Sequence, residues 1–66
     1  MTYVFLANGF EEIEAISTID ILRRAGIETT TVSIEPQLAV IGAHNIVVVA
    51  DQLFEEGAYN NAKCLL

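Results

Sequence analysis

The sequence predicts an α/β fold built on a parallel sheet, and three observations predict it. An unbroken apolar run closes the segment Thr2 to Ala7, a helical pattern fills the stretch from Glu11 to the glycine at Gly26, and a second β-rich run covers Glu28 to Ile34. Strand, helix and strand with short joints form a βαβ unit, whose crossover is right-handed in nearly all cases and whose strands are therefore parallel. A first strand without polar alternation is the pattern of a strand buried on both faces.

Asn8 and Gly9 end the first strand. In the helix that follows, Ala15, Ile16, Ile19 and Leu22 fall on one side and are predicted to face the sheet. Glu14, Thr18, Ile21 and Ala25 form a second, half-apolar face, which is expected to be covered by another layer or another subunit. Glutamates in the first turn and Arg23-Arg24 in the last suit the helix dipole. Asp20 and Arg24 add an i,i+4 pair, and Gly26 is the expected stop.

Beyond the second strand, Pro36 fixes its own backbone and turns Glu35-Pro36-Gln37. Leu38 to Ile41 and Ile46 to Ala50 flank Gly42-Ala43-His44-Asn45, the pattern of a hairpin with a four-residue loop. Asp51 is placed to cap a short helix from Gln52 to Glu56, which Gly57 ends. After a polar loop over 58–61, residues 62–66 begin another apolar strand.

No turn residue, charge or glycine follows Leu66, so residues 1–66 are expected to be the N-terminal part of a single domain. Composition agrees. A domain this small buries only about 60% of its unfolded surface, yet 53% of its 66 residues are hydrophobic and 18% charged, which suits part of a larger core.

Nine carboxylates against Arg23, Arg24 and Lys63 leave a net charge of −6. Nucleic-acid binding needs clustered basic residues, and an anionic membrane surface would repel the chain. No run approaches the roughly 18 apolar residues of a membrane span, and the start lacks the pattern of a signal peptide. A single cysteine, Cys64, agrees with a reducing compartment. A cytoplasmic location is the expectation.

The chemistry concentrates where strand becomes helix, at Asn8-Gly9-Phe10-Glu11-Glu12-Ile13-Glu14. Sites in α/β proteins lie beyond the carboxyl ends of strands. Glu11 and Glu12 read as ordinary dipole-favouring residues. Glu14 differs, because it shares the half-apolar face with Ile21 and Ala25 and sits beside two other carboxylates. Burial and like charge both raise a carboxyl pKa, and a protonated carboxyl donates a hydrogen bond or a proton. Phe10 and Tyr3 read as core or pocket-wall aromatics.

A dinucleotide loop needs Gly-x-Gly-x-x-Gly; this turn has one glycine and three carboxylates, so nucleotide binding is rejected and no cofactor is expected. His44 reads as an exposed loop histidine with no ligand spacing for a metal. Cys64 lies in an apolar strand without the turn and helix start that activate a thiol, and reads as a small hydrophobe.

Residues Val4 to Ala15, then Thr18 to Ile27 with Asp20-Ile21-Leu22-Arg23-Arg24-Ala25-Gly26, closely resemble the opening of the ThiJ/PfpI family, the DJ-one-like proteins. The similarity continues through Val32-Ser33 and Ile46 to Asp51, nearly the whole chain. The resemblance implies a flavodoxin-like three-layer α/β sandwich, a homodimer, and an active centre at a reactive cysteine on a sharp strand-to-helix turn. It implies that Glu14 is protonated and hydrogen-bonds the cysteine sulfur, that Glu11 is a carboxylate of the pocket wall, and that Gly9 makes the tight turn. Activities in the family include glyoxal and methylglyoxal handling, protein deglycation, peptidase or chaperone activity and oxidative-stress sensing. Small carbonyl compounds or modified proteins are thus the implied substrates. The family's Pro-Gly-Gly segment, nucleophilic cysteine and histidine are expected beyond Leu66, in the remainder of the same domain.

Two functions stay open on these residues, beside a third reading in which residues 1–66 are an autonomous small binding module. One is a cysteine-dependent enzyme or redox-responsive protein in which Glu14 supports the thiol. The other is a non-catalytic, dimeric chaperone-like or interaction protein, in which the face of Glu14, Thr18, Ile21 and Ala25 serves contact.

Overall fold

In the computed structural model, which describes residues 1–57, 59 and 63–65, the first strand is the centre of the sheet. β1 (Thr2–Leu6) lies between β2 (Thr29–Ser33) and β6 (Lys63–Leu65), and β5 (Gln52–Leu53) extends the sheet beyond β2, giving the order β5-β2-β1-β6. All three pairings are parallel, with Thr2 opposite Thr29 and Lys63, and Val32 opposite Gln52. Flanked on both sides, β1 has partners for its amides and carbonyls, and with the helix that follows it on one face and the rings of Phe54 and Tyr59 on the other its sequence carries no polar alternation. The backbone of Cys64 sits inside β6, opposite Tyr3.

α1 (Glu12–Arg24) covers one face of the sheet. Ala15 and Ile19 are buried and form the core with Val4 and Leu6 of β1 and Val40, while Phe10, Leu22 and Val48 pack partly buried against it. Ile16, expected on the same stripe, is 42% exposed; a residue one step from Ala15 is rotated to the edge of a helical face. The helix ends as expected: Gly26 has φ 78°, and the amides of Gly26 and Ile27 return to the carbonyls of Arg23 and Leu22 at 3.1 and 3.0 Å.

β3 (Ala39–Ile41) and β4 (Val47–Val49) form the expected hairpin as a separate antiparallel ribbon, with Val40 opposite Val48. Its loop closes through Asn45 N–H to Gly42 O at 3.0 Å, with Asn45 left-handed at φ 64°.

The short helix expected over Gln52 to Glu56 is corrected. Gln52 and Leu53 are strand, and only Phe54–Glu56 turns, as one 3-10 turn closed at Gly57. Asp51 is not a helix cap. Its Oδ2 accepts from Thr31 N at 2.9 Å and Arg23 Nη2 at 3.0 Å, and its own amide donates to Thr31 Oγ1 at 2.9 Å. Those bonds lower its pKa, the Thr31 amide foremost, and dock the segment on β2, where pairing satisfies backbone groups that a two-turn helix would leave open.

On the sheet face away from α1, Tyr3 and Phe5 meet Phe54 and Tyr59, with ring centroids 4.8 Å apart for Tyr3–Tyr59 and 5.0 Å for Phe54–Tyr59. Apart from Tyr59, the loop read over 58–61 lies outside the described residues, as do Ala62 and Leu66. Among the described residues no helix is long and apolar enough to cross a membrane.

Leu6 is fully buried at the end of β1. Leu6→Ala is expected to lower the stability of the intact protein by about 2–5 kcal/mol, measured by urea unfolding. A loss below about 1 kcal/mol would show that the core does not rest on β1.

Candidate functional site

Between β1 and α1 the chain turns at Gly9, whose φ of 91° favours glycine. Phe10 N–H closes that turn on Ala7 O at 3.1 Å. The hairpin grips it from outside. Gly9 N–H donates to Ile41 O at 2.7 Å and Ala43 N–H to Phe10 O at 2.8 Å, while Asn8 Oδ1 accepts from Ile41 N–H at 3.0 Å. The Asn8 amide in turn donates to Glu35 Oε2 at 2.9 Å.

Beside this turn lies a cleft of about 330 Å³, lined by Phe5, Leu6, Ala7, Asn8, Gly9, Phe10, Glu11, Glu14 and Ala15. It brings together the three residues singled out in the sequence, Gly9, Glu11 and Glu14, at the carboxyl end of the central strand. Phe10 forms part of its wall, whereas Tyr3 belongs to the aromatic cluster on the other face. Its size is at the low end of small-molecule sites. Glu14 accepts from Thr18 Oγ1 through its backbone carbonyl at 2.7 Å; its carboxylate has no hydrogen bond or ion pair among the described residues. The face it shares with Ile21, expected to be covered, is open here, with Ile21 64% exposed.

Glu12 is the surprise of the glutamate cluster. It is 5% exposed and faces the hairpin loop, where Oε2 accepts from His44 N at 2.7 Å and Ile46 N at 3.4 Å, and Oε1 meets His44 Nδ1 at 2.9 Å. Burial pushes this carboxyl up, but hydrogen bonds from the His44 ring, its own amide and the amides of His44 and Ile46 outweigh it, and its pKa falls from 4.5 to about 2. An ionised carboxylate only accepts, so the Nδ1 of His44 carries the hydrogen. The hydrogen bond to Glu12, followed by the charges of Glu12 and Glu11, holds the His44 pKa above its ordinary 6.5.

Glu11 Oε1 lies 3.6 Å from the same Nδ1. The structure thus gathers ligand atoms of Glu11, Glu12 and His44 within 4.8 Å of one another, a proximity that sequence spacing did not suggest. Both Glu12 oxygens and the ring nitrogen are already engaged in hydrogen bonds, which makes this group an ion pair with a flanking carboxylate.

A signal for Glu12 was present. Glu12, Ala15, Ile19 and Leu22 recur at i, i+3, i+7 and i+10, so the buried stripe extends one turn back onto it. Its partners, some 32 residues on, left no such signal.

The chain matches the DJ-1/PfpI family over residues 2–66. It belongs to that family. A DJ-1 homolog of Arabidopsis thaliana, protein B, is 43% identical over 51 residues, covering 77% of this chain and 12% of that protein. Among solved structures, a DJ-1 superfamily protein of Salmonella typhimurium is 47% identical with a TM-score of 0.81, and oxidized Toxoplasma gondii DJ-1 is 42% identical with a TM-score of 0.82. Each match covers 83% of this chain and 30% of the other. This DJ-1/PfpI chain therefore spans a minor part of its relatives' length, and its fold is the flavodoxin-like α/β fold.

The sign of the pH dependence follows from the two groups. Glu12, depressed, stabilises fully above pH 4.5 and loses that contribution as pH falls towards about 2. His44, raised, stabilises fully below pH 6.5 and loses it as pH rises through its folded value. Thermal unfolding of the intact protein is expected to show the largest deficit of Glu12→Gln between these limits, shrinking at lower pH. A deficit independent of pH would contradict the ion pair.

Proposed function

We propose that this segment supplies the acid half of a cysteine-dependent site in a DJ-1/PfpI protein acting on small carbonyl compounds or modified protein groups. In this reading the Glu14 carboxyl, protonated, hydrogen-bonds a reactive thiol carried by a part of the fold outside these 66 residues. The observation that carries it is the Glu14 carboxylate, exposed in the cleft at the end of β1 and without a partner among the described residues. Family membership supports it. A hydrogen bond to the charged form favours that form, so such a contact keeps the sulfur as the thiolate, the nucleophilic species. Gly9 shapes the turn and Glu11 lines the wall. The same thiolate character makes a cysteine responsive to oxidants, which links the enzymatic and the stress-sensing activities to one group.

Glu14→Gln in the intact protein is expected to slow alkylation of that thiol near pH 6 about tenfold, the effect of one pKa unit. Equal thiol titration curves with and without Glu14 would remove the assigned role.

A second reading is favoured by the apolar exposure of α1, where Ile13 is 81% and Ile21 64% exposed. Here the helix face mainly serves a homodimer of a non-catalytic, chaperone-like protein. Ile21→Glu is then expected to shift the protein from dimer to monomer on size-exclusion chromatography, while Glu14→Gln changes neither elution nor function. Loss of thiol reactivity in Glu14→Gln would decide against it.

A further inference from the structure

Residues 38–50, which make the hairpin, contain one titratable group, His44. The groups that face it come from the start of α1: Glu12 at 2.9 Å and Glu11 at 3.6 Å. The turn residues Asn8, Gly9 and Phe10 bring no charge, and Glu14 follows further along the same helix. A hydrogen bond to an ionised acceptor is roughly twice as strong as a neutral one, and a charge on the donor adds Coulomb attraction to it. When His44 loses its proton, Glu12 keeps a weaker neutral donor, and Glu11 and Glu12 are left as two neighbouring carboxylates without a counter-charge.

The mechanical link to the cleft is short. Ile41 and Ala43 hold Gly9 and Phe10 by backbone hydrogen bonds of 2.7 and 2.8 Å, and Gly9, Phe10 and Glu11 all line the cleft. A steric observation points the same way. A Cβ on Gly42 would overlap the Glu12 carboxylate, so the loop is fitted to that side chain rather than lying loosely over it.

We propose that Glu12 and His44 form a proton-operated clasp: with His44 charged, the 42–45 loop is held more tightly on the strand-to-helix turn, and loss of that proton loosens the loop and with it the Gly9–Glu11 wall of the cleft. Histidine titrates nearest physiological pH, and the contact with Glu12 moves the release upward from the ordinary value. The clasp regulates the site proposed above but rests on the geometry of the turn, so its test reads amides and not thiol reactivity, and either proposal can fail while the other stands.

In the intact protein, amide exchange of Gly9, Ala43, His44 and Ile46 is followed by NMR from about pH 5.5 to 8.5, around the histidine range, corrected for intrinsic exchange, alongside the His44 ring signals. Protection is expected to fall about two- to fivefold as the ring titrates, the size of an exposed ion pair. His44→Gln, a change at a side chain 72% exposed, keeps a hydrogen-bonding group without a proton to lose and is expected to abolish the step. Gly42→Ala, which pushes the Glu12 carboxylate from the loop, is expected to give low protection at every pH. A flat wild-type profile, a step that persists in His44→Gln, or a wild-type step in Gly42→Ala would each overturn the clasp.

Discussion

The carboxylate of Glu12 accepts hydrogen bonds from two backbone amides and one imidazole of a hairpin about 32 residues away, and the arrangement of the turn depends on this contact. Taking a carboxylate to 5% exposure is unfavourable unless donors replace the lost water. Here they do, and the donors belong to a ribbon otherwise held by its backbone bonds to the turn and by few apolar contacts. Val40 is its buried core residue and Val48 joins partly, while Ile41, Ile46, Val47 and Val49 remain exposed. Apolar contact places the ribbon roughly; the polar contacts at its loop set its position against the helix start.

From that constraint the cleft follows. β1 is buried by strands on both sides and by α1 above, so its carboxyl end is a fixed point. Gly9 reverses the chain there in a left-handed conformation, and the hairpin closes the outer side. Three glutamates that look equivalent in the sequence are sorted by helical rotation. Glu12 turns inward to the loop, and Glu11 and Glu14 remain on the cleft. One acid does structural work so that the other two stand at defined positions.

Much of the fold was legible in the sequence because it is encoded locally. The unbroken apolar run of β1, the period of α1, the stop at Gly26 and the loop 42–45 each rest on neighbouring residues, and the structure has them in place. The junction of Gly9, Glu11 and Glu14 is local too, since a strand-to-helix turn brings its own residues together, but only the family resemblance sets Glu11 apart from Glu12. What escaped is encoded at a distance. Gln52 and Leu53 follow a residue well suited to cap a helix, but β2 offers them pairing, and Asp51 turns to Thr31 and Arg23 instead. Likewise the role of Asn8 as acceptor for Ile41, and of His44 as partner of Glu12, depend on a docking that no periodicity records. Ile16 shows the same limit in small: a stripe drawn from spacing did not say where its edge falls.

Gly42 illustrates how such a docking writes itself back into the sequence. Its backbone φ does not demand glycine; the room it leaves is filled by the side chain of Glu12. Positions 12 and 42 are consequently not free to drift separately. A bulkier residue at 42 is compatible with a shorter one at 12, but then position 44 loses its hydrogen-bond partner and nearest counter-charge, and with them the main reason to stay histidine. Across diverging descendants of this chain, the three sites should change in concert, as one inherited unit split between the opening of a helix and the tip of a hairpin.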